Sequence, residues 1–538
     1  MSELASDVIV IGSGAGGVHA AWPLVERGLS VALLDYGNVD AKYAPLIPDA
    51  SWETIRRTAG DQHRFFLGDD FEGIPFGKVR VGAQLTPPRG FIAQDTERRL
   101  PFHSQSFAIT ESLARGGLAA GWGAGVFPFD DHDLAPAGLT RAELAPHYDA
   151  VAERIGVSGA GDDLLPFLGE LAGTMPALAI DSGAERVLAH YAKRGSELNA
   201  RGFWLGRARL AACSQEHRGR GPHGYQDMDF WADPGRAVYR PQWTLEELGR
   251  FERFALRDRR LVNAFRETES GVEVTTRHAD SNARETHRAR ALVLAAGALG
   301  SARIALRSLE RYDRPVPIVS NPYCYAPLLN LGMLGQEARD RRHSLAQLTA
   351  VYRPEPDSAR TVLGHYYSYR SLLTFKLMKE SPLGHRANVR LFRRLLPVLG
   401  ILGIHHEDRT TADKTCVLRR ATGRGEDRLE IEYRLDPDVR ERQDAEERRM
   451  LGFFRRLGCI APKRIYPGHG SSIRYAGTLP YSSEERELTC DADSRLRGTR
   501  AVYVADGSVF PYLPPKGVTF TLMANADRVG RRLAERLA

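Results

Sequence analysis

One arginine in this 538-residue chain stands in a segment with little else to explain it. Arg474 lies in GHGSSIRYAGTLPYS, residues 468–482, a Gly/Ser-rich stretch. A guanidinium stays protonated at any physiological pH, so it cannot take a proton from a substrate. It can grip a carboxylate, phosphate or enolate through paired N–H donors, or stabilise negative charge that develops on an oxygen. A different chemistry is written at the N-terminus. Gly12, Gly14 and Gly17 form a G-x-G-x-x-G series, and Asp35 closes the apolar run SVALLD, residues 30–35. That pattern sets a pyrophosphate on a helix N-terminus and a carboxylate against a ribose hydroxyl.

These residues need a strand, a tight turn and a helix to position them. Val8, Ile9, Val10 and Ile11 read as a buried strand, GVHAAWPLVERG as the helix after it, and SVALLD as a second strand. In this frame Gly12 permits the turn, Gly14 lets backbone N–H groups reach the phosphates, and Gly17 lets the helix pack closely on the strand. Such a site does not separate FAD from NAD. Three further segments bear on the choice. ARGGLAAGWGAGV, residues 114–126, has five glycines around Trp122, so its backbone can approach a flat ring. ARALVLAAGALGSARIALRS, residues 289–308, reads as a strand, a small-residue turn and a helix start. RAVYVADGSVFPYLPPKGVTFTLMANADRVGRRLAERL, residues 500–537, gives a strand ending at Asp506, a Pro-rich turn and a closing amphipathic helix.

In order and spacing these blocks resemble the glucose–methanol–choline (GMC) oxidoreductases, a family of FAD enzymes. The match spans both ends of the chain; residues 315–460 correspond only to the family's variable substrate region. The resemblance implies an α/β fold, with a Rossmann-like FAD-binding lobe and an α+β substrate lobe built on an antiparallel sheet. It divides the chain into 1–160, the first part of the FAD lobe; 161–310, mixed and mostly FAD-binding with pocket loops; 315–465, the substrate lobe; and 466–538, the C-terminal part of the FAD lobe with the active-site segment. Position by position, Gly12, Gly14 and Gly17 would hold the pyrophosphate and Asp35, a glutamate in most members, the adenosine ribose. Gly116, Gly117 and Trp122 would lie in the flavin loop, and Val262 would offer a backbone contact to adenine. Ala296 and Gly297 would form the adenosine-side turn, with Asp506 and Gly507 near the ribityl–pyrophosphate chain. Members that attach FAD covalently use a histidine in the flavin loop; GGLAAGWGAG has none, which implies non-covalent FAD. The implied reaction oxidises an alcohol, a sugar-like hydroxyl or a related C–H group by hydride transfer to flavin, with reoxidation by oxygen or another acceptor.

The chain departs from the family where the chemistry happens. The histidine that takes the hydroxyl proton, three residues before a Gly-Thr pair, is replaced by Arg474, and the second position, histidine or asparagine in the family, falls on Gly517. Three readings follow. The base lies elsewhere, with His469 and Tyr475 as candidates; or the substrate needs no base, or has an anionic group that Arg474 holds in place; or the flavin serves a non-oxidative lyase, decarboxylase or isomerase reaction. A slip of a few positions would instead make His469 the family histidine.

Composition narrows the setting. Apolar residues are 43% and charged residues 26%, and no apolar run is long enough to span a membrane. The net charge of +7 is scattered, without the basic blocks of nucleic-acid tails, so no nucleic acid is expected and the charge suggests only a bias towards anionic ligands; the resemblance implies a small-molecule substrate. The opening MSELASDVIVIGSG enters a strand without room for a secretory signal, and five widely spaced cysteines form no metal motif. Both suit the cytoplasm and no bound metal. RLFRRLLPVLGILGIHHED, residues 390–408, is basic and then apolar. It suggests a broken helix packed in the substrate lobe more than a lid or a membrane contact. His405 and His406, being adjacent, must point in different directions. GHYYSYRSLLTFKLM, residues 364–378, alternates in the manner of a pocket-lining strand, and CSQEHRGRGPHGY, residues 213–225, suggests a mobile loop.

Overall fold

The computed structural model describes residues 5–538 apart from 49, 51, 74–86, 226–232, 234, 337–342, 356–357, 369–377, 379–380 and 422–424. The apolar run before Gly12 forms the strand Ala5–Ile11 inside a seven-stranded sheet. Val31–Leu34 and Arg284–Leu294 flank it in parallel. Phe254–Arg257 extends the sheet beyond the first, and Val502–Val504 pairs with the second. Gly271–His278 and Arg260–Thr268 continue it in antiparallel fashion. Side chains alternate across it. Val8, Val10, Leu33 and Val293 face one core; Ile9, Ile11, Leu34, Leu292 and Leu294 face the other. Both faces are covered, so these strands read as unbroken apolar runs. The helices Ala15–Glu26 and Thr519–Leu537 lie against each other on one face. They approach so closely that a Cβ on Gly530 would come 2.3 Å from the Ala20 carbonyl oxygen.

The second sheet has six antiparallel strands in the order Cys459–Ile460, Tyr323–Asn330, Leu399–His405, Val362–Ser368, Leu348–Tyr352 and Phe203–Arg207. Its last strand comes from 203–207, within the segment expected to be mostly FAD-binding. His405 stands opposite Tyr323 and Leu363, Gly403 opposite Tyr325 and His365, and Ile401 opposite Pro327 and Tyr367. Because side chains alternate, one face carries the tyrosines and both histidines towards a cavity. The other buries Cys324, Leu328, Leu402, Ile404 and Tyr366 against Met450, Phe453 and Phe454 of the helix Pro437–Arg456. A smaller sheet of Pro315–Pro317, Lys414–Arg419, Arg428–Tyr433 and Phe102–His103 ties N-terminal and substrate segments together.

Two expectations change. Residues 390–408 are not a broken helix throughout. The helix His385–Leu395 gives way, after a turn at Leu396–Val398, to the strand Leu399–His405. Gly403 keeps this strand beneath a neighbouring ring, since a Cβ there would lie 3.1 Å from Tyr323 Cε2. The segment 213–225 is pinned rather than loose. Cys213, Arg220 and His223 are buried, Cys213 N–H donates to the Ala237 carbonyl, and the Arg220 guanidinium bonds the Ile155 carbonyl. Of 364–378, residues 369–377 lie outside the described residues; Val362–Ser368 is the pocket-lining strand expected. Among the described residues, no helix is long and apolar enough to cross a membrane.

Candidate active site

A cavity of about 880 Å³ has walls that include Asp35 and Val262 from one sheet and His365 and His405 from the other. That is the size and position of a cofactor-plus-substrate pocket between lobes. Every residue expected to touch FAD lines it or braces its wall. The Ser13 N–H donates to Asp35 Oδ2 at 2.8 Å and the Gly37 N–H to Oδ1 at 3.1 Å. Burial nevertheless pushes the Asp35 carboxyl up to about 6. The Gly116 N–H donates to Ser13 Oγ at 2.9 Å, which clips the phosphate loop to the flavin loop.

Close backbone approach explains the glycines that matter most. Gly12 has φ +97°, and a Cβ on it would come 2.5 Å from the Ala295 carbonyl oxygen. One on Gly17 would come 1.8 Å from the Gly12 carbonyl oxygen. Gly14 and Gly297 differ in kind. Both line the cavity, and a Cβ on Gly14 would meet nothing nearer than 3.9 Å, so a side chain there would project into the room a dinucleotide needs. These cradles, with Asp35 behind them, fit FAD.

The flavin-loop turn Gly117–Gly121 ends at Trp122, whose indole N–H donates to the Tyr239 carbonyl at 2.8 Å. Beside Val262 the ladder between Arg260–Thr268 and Gly271–His278 slips register, interrupting regular pairing at the cavity wall. The Ala296 N–H donates to Ser301 Oγ at 3.2 Å, and Ser301 Oγ donates to Asp506 Oδ2 at 2.6 Å. The Asp506 carboxylate is thus engaged within the protein, where it also receives the Ser508 N–H at 2.9 Å. It shapes the turn that carries Gly507. A Cβ on Gly507 would come 2.7 Å from the Tyr475 carbonyl oxygen, so this turn rests on the Arg474 segment.

Arg474 sits at the opposite end. Its Nη1 donates to the Pro515 carbonyl at 3.1 Å, and among the described residues no carboxylate lies within ion-pair distance of it. Burial lowers its pKa, with Tyr367 and Tyr323 acting in the other direction. The residue before it is strained. Ile473 has φ +55°, and its N–H closes a turn onto the Gly470 carbonyl at 3.0 Å. A Cβ on Gly517 would lie 3.7 Å from Arg474 Nη2 and 3.5 Å from Phe127 Cδ2. The guanidinium therefore stands where a larger residue 517 would have to extend.

The other two candidates are placed differently. His469 is outside the cavity wall; its ring lies 4.8 Å from that of Tyr433, and its carbonyl accepts from the Ala108 N–H at 2.8 Å. Tyr475 touches the cavity, but its hydroxyl accepts from the Thr110 N–H at 3.0 Å and donates to the Gly470 carbonyl at 3.1 Å. Burial raises its pKa. It is a clip between backbone segments.

Sequence reasoning passed over His365 and His405 as active-site candidates. Both line the cavity, their ring centroids are 5.4 Å apart, and His405 stacks on Tyr323 at 4.6 Å. The available signal was the alternation in GHYYSY, which put His365 and Tyr367 on one face, and the opposed directions of His405 and His406. His406 does turn away, to Glu446 at 3.2 Å and Glu447 at 3.3 Å.

Comparison with known proteins agrees with this geometry. A family model described as an FAD binding domain matches residues 7–44. The chain is 25% identical over 545 residues to 6'''-hydroxyparomomycin C oxidase of Streptomyces lividus, covering 99% of this chain and 92% of the relative. It is 33% identical over 153 residues to paromamine 6'-oxidase of Streptomyces fradiae, a match confined to 28% of this chain and 24% of that protein. Among solved structures, pyridoxine 4-oxidase from Mesorbium loti aligns over 98% of this chain and 99% of its own, with TM-score 0.58 and 14% identity. Formate oxidase of Aspergillus oryzae RIB40 aligns over the full length of both chains, with TM-score 0.61 and 10% identity. Fold, fingerprint and relatives define an FAD-binding oxidoreductase. The chain resembles FAD-dependent oxidases along its whole length, and its FAD-binding fingerprint lies in residues 7–44.

Proposed function

We propose that the protein oxidises a hydroxyl group on a small neutral or anionic molecule, with oxygen as final acceptor, in the cytoplasm. The observation that carries this reading is the Arg474 guanidinium, bound to one backbone carbonyl and otherwise turned to the cavity. FAD, when bound, supplies a two-electron hydride acceptor. Arg474 holds the substrate oxygen through its N–H donors and stabilises the negative charge that gathers there as the O–H proton departs. Tyr323, Tyr325 and Tyr367 offer flat apolar surface for the substrate body. Lys463 adds a further cation to the wall, and the wall residues contributed by the six-stranded sheet include no described carboxylate, which supports a neutral or anionic substrate. Five buried thiols, unpaired in the structure, suit a reducing compartment.

The test is an anaerobic visible spectrum of the holoprotein mixed in turn with 4-(hydroxymethyl)benzoate, benzyl alcohol, pyridoxine and paromamine. Bleaching by one of the first three, followed by recovery and peroxide formation on admitting air, is expected. Bleaching by none of the four, or by paromamine alone, would overturn the reading.

A further inference from the structure

Hydroxyl oxidation releases a proton, and none of the candidates read from the sequence can take it. Arg474 is already protonated, the Tyr475 hydroxyl is committed to the backbone, and His469 is outside the wall. Two other groups remain. His365 is 2% exposed and His405 7% exposed. Among the described residues, neither ring nitrogen of His365, nor Nδ1 of His405, has a hydrogen-bond partner. A buried polar group left unpaired costs about 1–3 kcal/mol, so two such rings side by side in a cavity wall call for a ligand.

Their surroundings favour the neutral, proton-accepting form. His365 is flanked by the Phe127 ring at 5.1 Å, Tyr367 at 6.5 Å and His405 at 5.4 Å. Around His405 stand Tyr323, His365 and, on its far side, His406, while the Arg474 charge reaches both rings. Burial first, and the Arg474 charge second, bring His365 down to about 3 and lower His405 strongly.

We propose that His365, with His405 beside it, is the proton acceptor of the oxidation, a function moved from the C-terminal segment to the face of the substrate sheet. The inference rests on hydroxyl oxidation as the reaction. The substrate O–H bond breaks and its proton passes to an imidazole nitrogen. The electron pair left on oxygen forms the C=O bond, and the carbinol hydrogen leaves with its own pair to the flavin. One proton goes to the protein, two electrons and a hydrogen go to the cofactor, and a carbonyl compound is released. So lowered, the imidazoles are weak acceptors. As hydride leaves, the substrate O–H becomes that of a protonated carbonyl and far more acidic, so even a weak acceptor takes the proton, and it moves with the hydride and not before it.

The experiment compares wild type with His365→Gln, His405→Gln and the double variant, each checked for FAD content. Anaerobic bleaching is followed in stopped flow with whichever probe reduces the wild type. The double variant is expected to bleach about 10²–10⁴-fold more slowly, with the probe's half-saturating concentration little changed. Added imidazole should restore rate to His365→Ala and leave wild type unaffected. Independently of turnover, ¹⁵N-histidine NMR should show both rings neutral at pH 7, and Arg474→Gln should raise their titration midpoints. Equal bleaching of wild type and the double variant would overturn the inference and leave the function standing. So would rings already charged at pH 7, a result available even if the variants fail to load FAD. A wild type bleached by no probe would remove the functional reading, and this inference with it.

Discussion

The two ends of the cavity treat arginine in opposite ways. Around the cofactor half, Arg260 pairs with Glu285 at 3.1 Å, Arg303 with Glu111 at 3.0 Å and Arg307 with Asp427 at 2.6 Å, and Arg277 pairs with Glu426. Each of these cations is neutralised by the protein itself. At the substrate end Arg474 has a carbonyl and two nearby phenols. A buried charge whose partner is missing is costly, and a fold retains one where a ligand completes the pair or where charge develops during reaction. Four paired arginines brace the cofactor walls, where Arg99 instead bonds the Ala279 carbonyl; under the proposed function, Arg474 is held for the substrate.

The largest effect belongs to a third arrangement, just behind the substrate sheet. His406 lies between Glu446 and Glu447, whose hydrogen bonds and charges raise its pKa against the opposing effect of burial, while both glutamates are lowered. His406→Ala leaves two buried carboxylates short of a partner and is expected to cost about 3–5 kcal/mol in urea unfolding. The sign of its pH dependence is fixed. A histidine raised on folding contributes fully below its unfolded pKa of about 6.5 and loses that contribution as pH rises through the folded value. The glutamates contribute above about 4.3 and lose their share as pH falls through their folded values. The difference between wild type and His406→Ala should therefore be greatest near pH 5–6 and shrink towards pH 9. A constant difference would mean that His406 is neutral in the fold.

Arg474→Ala tests the unpaired side of the comparison directly. Removing a single donor that faces developing oxyanion charge costs about 10²–10³-fold, or roughly 2.7–4 kcal/mol, in turnover. FAD should remain bound, because the described contacts of this side chain are with Pro515, Gly517, Tyr323 and Tyr367, away from the phosphate and ribose cradles. Arg474→Lys should recover part of the rate, since a point charge replaces a two-donor fork. Loss of the yellow colour in Arg474→Ala would erase the distinction between the two ends.

That distinction also decided what the sequence could reveal. The cofactor half is built from short, contiguous pieces: Gly12 to Gly17, Asp35 one strand later, Gly116 and Gly117, Ala296 and Gly297, Asp506. Their spacing encodes their geometry, and the structure places all of them at or against the cavity wall. The substrate half is assembled by strand register. His365 meets His405 because Gly403 lies opposite both Tyr325 and His365, and no local pattern contains that pairing. The alternation in GHYYSY was legible; its partner strand was not. His469 and Tyr475 were attractive because they are close to Arg474 in sequence, but the turn at Gly470 to Ile473 takes their polar atoms elsewhere. The strand Phe203–Arg207 falls within 161–310, expected to be mixed and mostly FAD-binding, and pairs in the antiparallel sheet.

At the cofactor end, Asp35→Ala should weaken FAD binding by about 1.5–3 kcal/mol, the worth of a hydrogen bond to a charged group, or roughly 10- to 100-fold. The carboxyl at about 6 adds a pH signature. Ribose hydroxyls need an acceptor, so wild-type FAD affinity should fall as pH drops below 6, while Asp35→Ala is flat across the same range. Isothermal titration of apoprotein with FAD at pH 5 and pH 8 measures both, and a pH-independent wild type would remove Asp35 from the ribose.

The smallest effect sharpens the comparison at the level of the backbone. The cofactor end gives its left-handed turn at φ +97° to Gly12, a residue that bears no steric cost there. The substrate end gives one at φ +55° to Ile473, a β-branched residue for which this region costs about 1–3 kcal/mol. The strain is local to the residue that aims Arg474 into the cavity. Ile473→Gly relieves it, but it also enlarges the unfolded ensemble by about 0.5–1 kcal/mol and removes a side chain packed against the core. The net change in stability should be within about 1 kcal/mol of zero by these terms. The rate of flavin bleaching, by contrast, should fall several-fold, because a glycine no longer restricts the approach of the guanidinium. Unchanged bleaching together with a clear gain in stability would show that the fold tolerates the strain at Ile473 without using it.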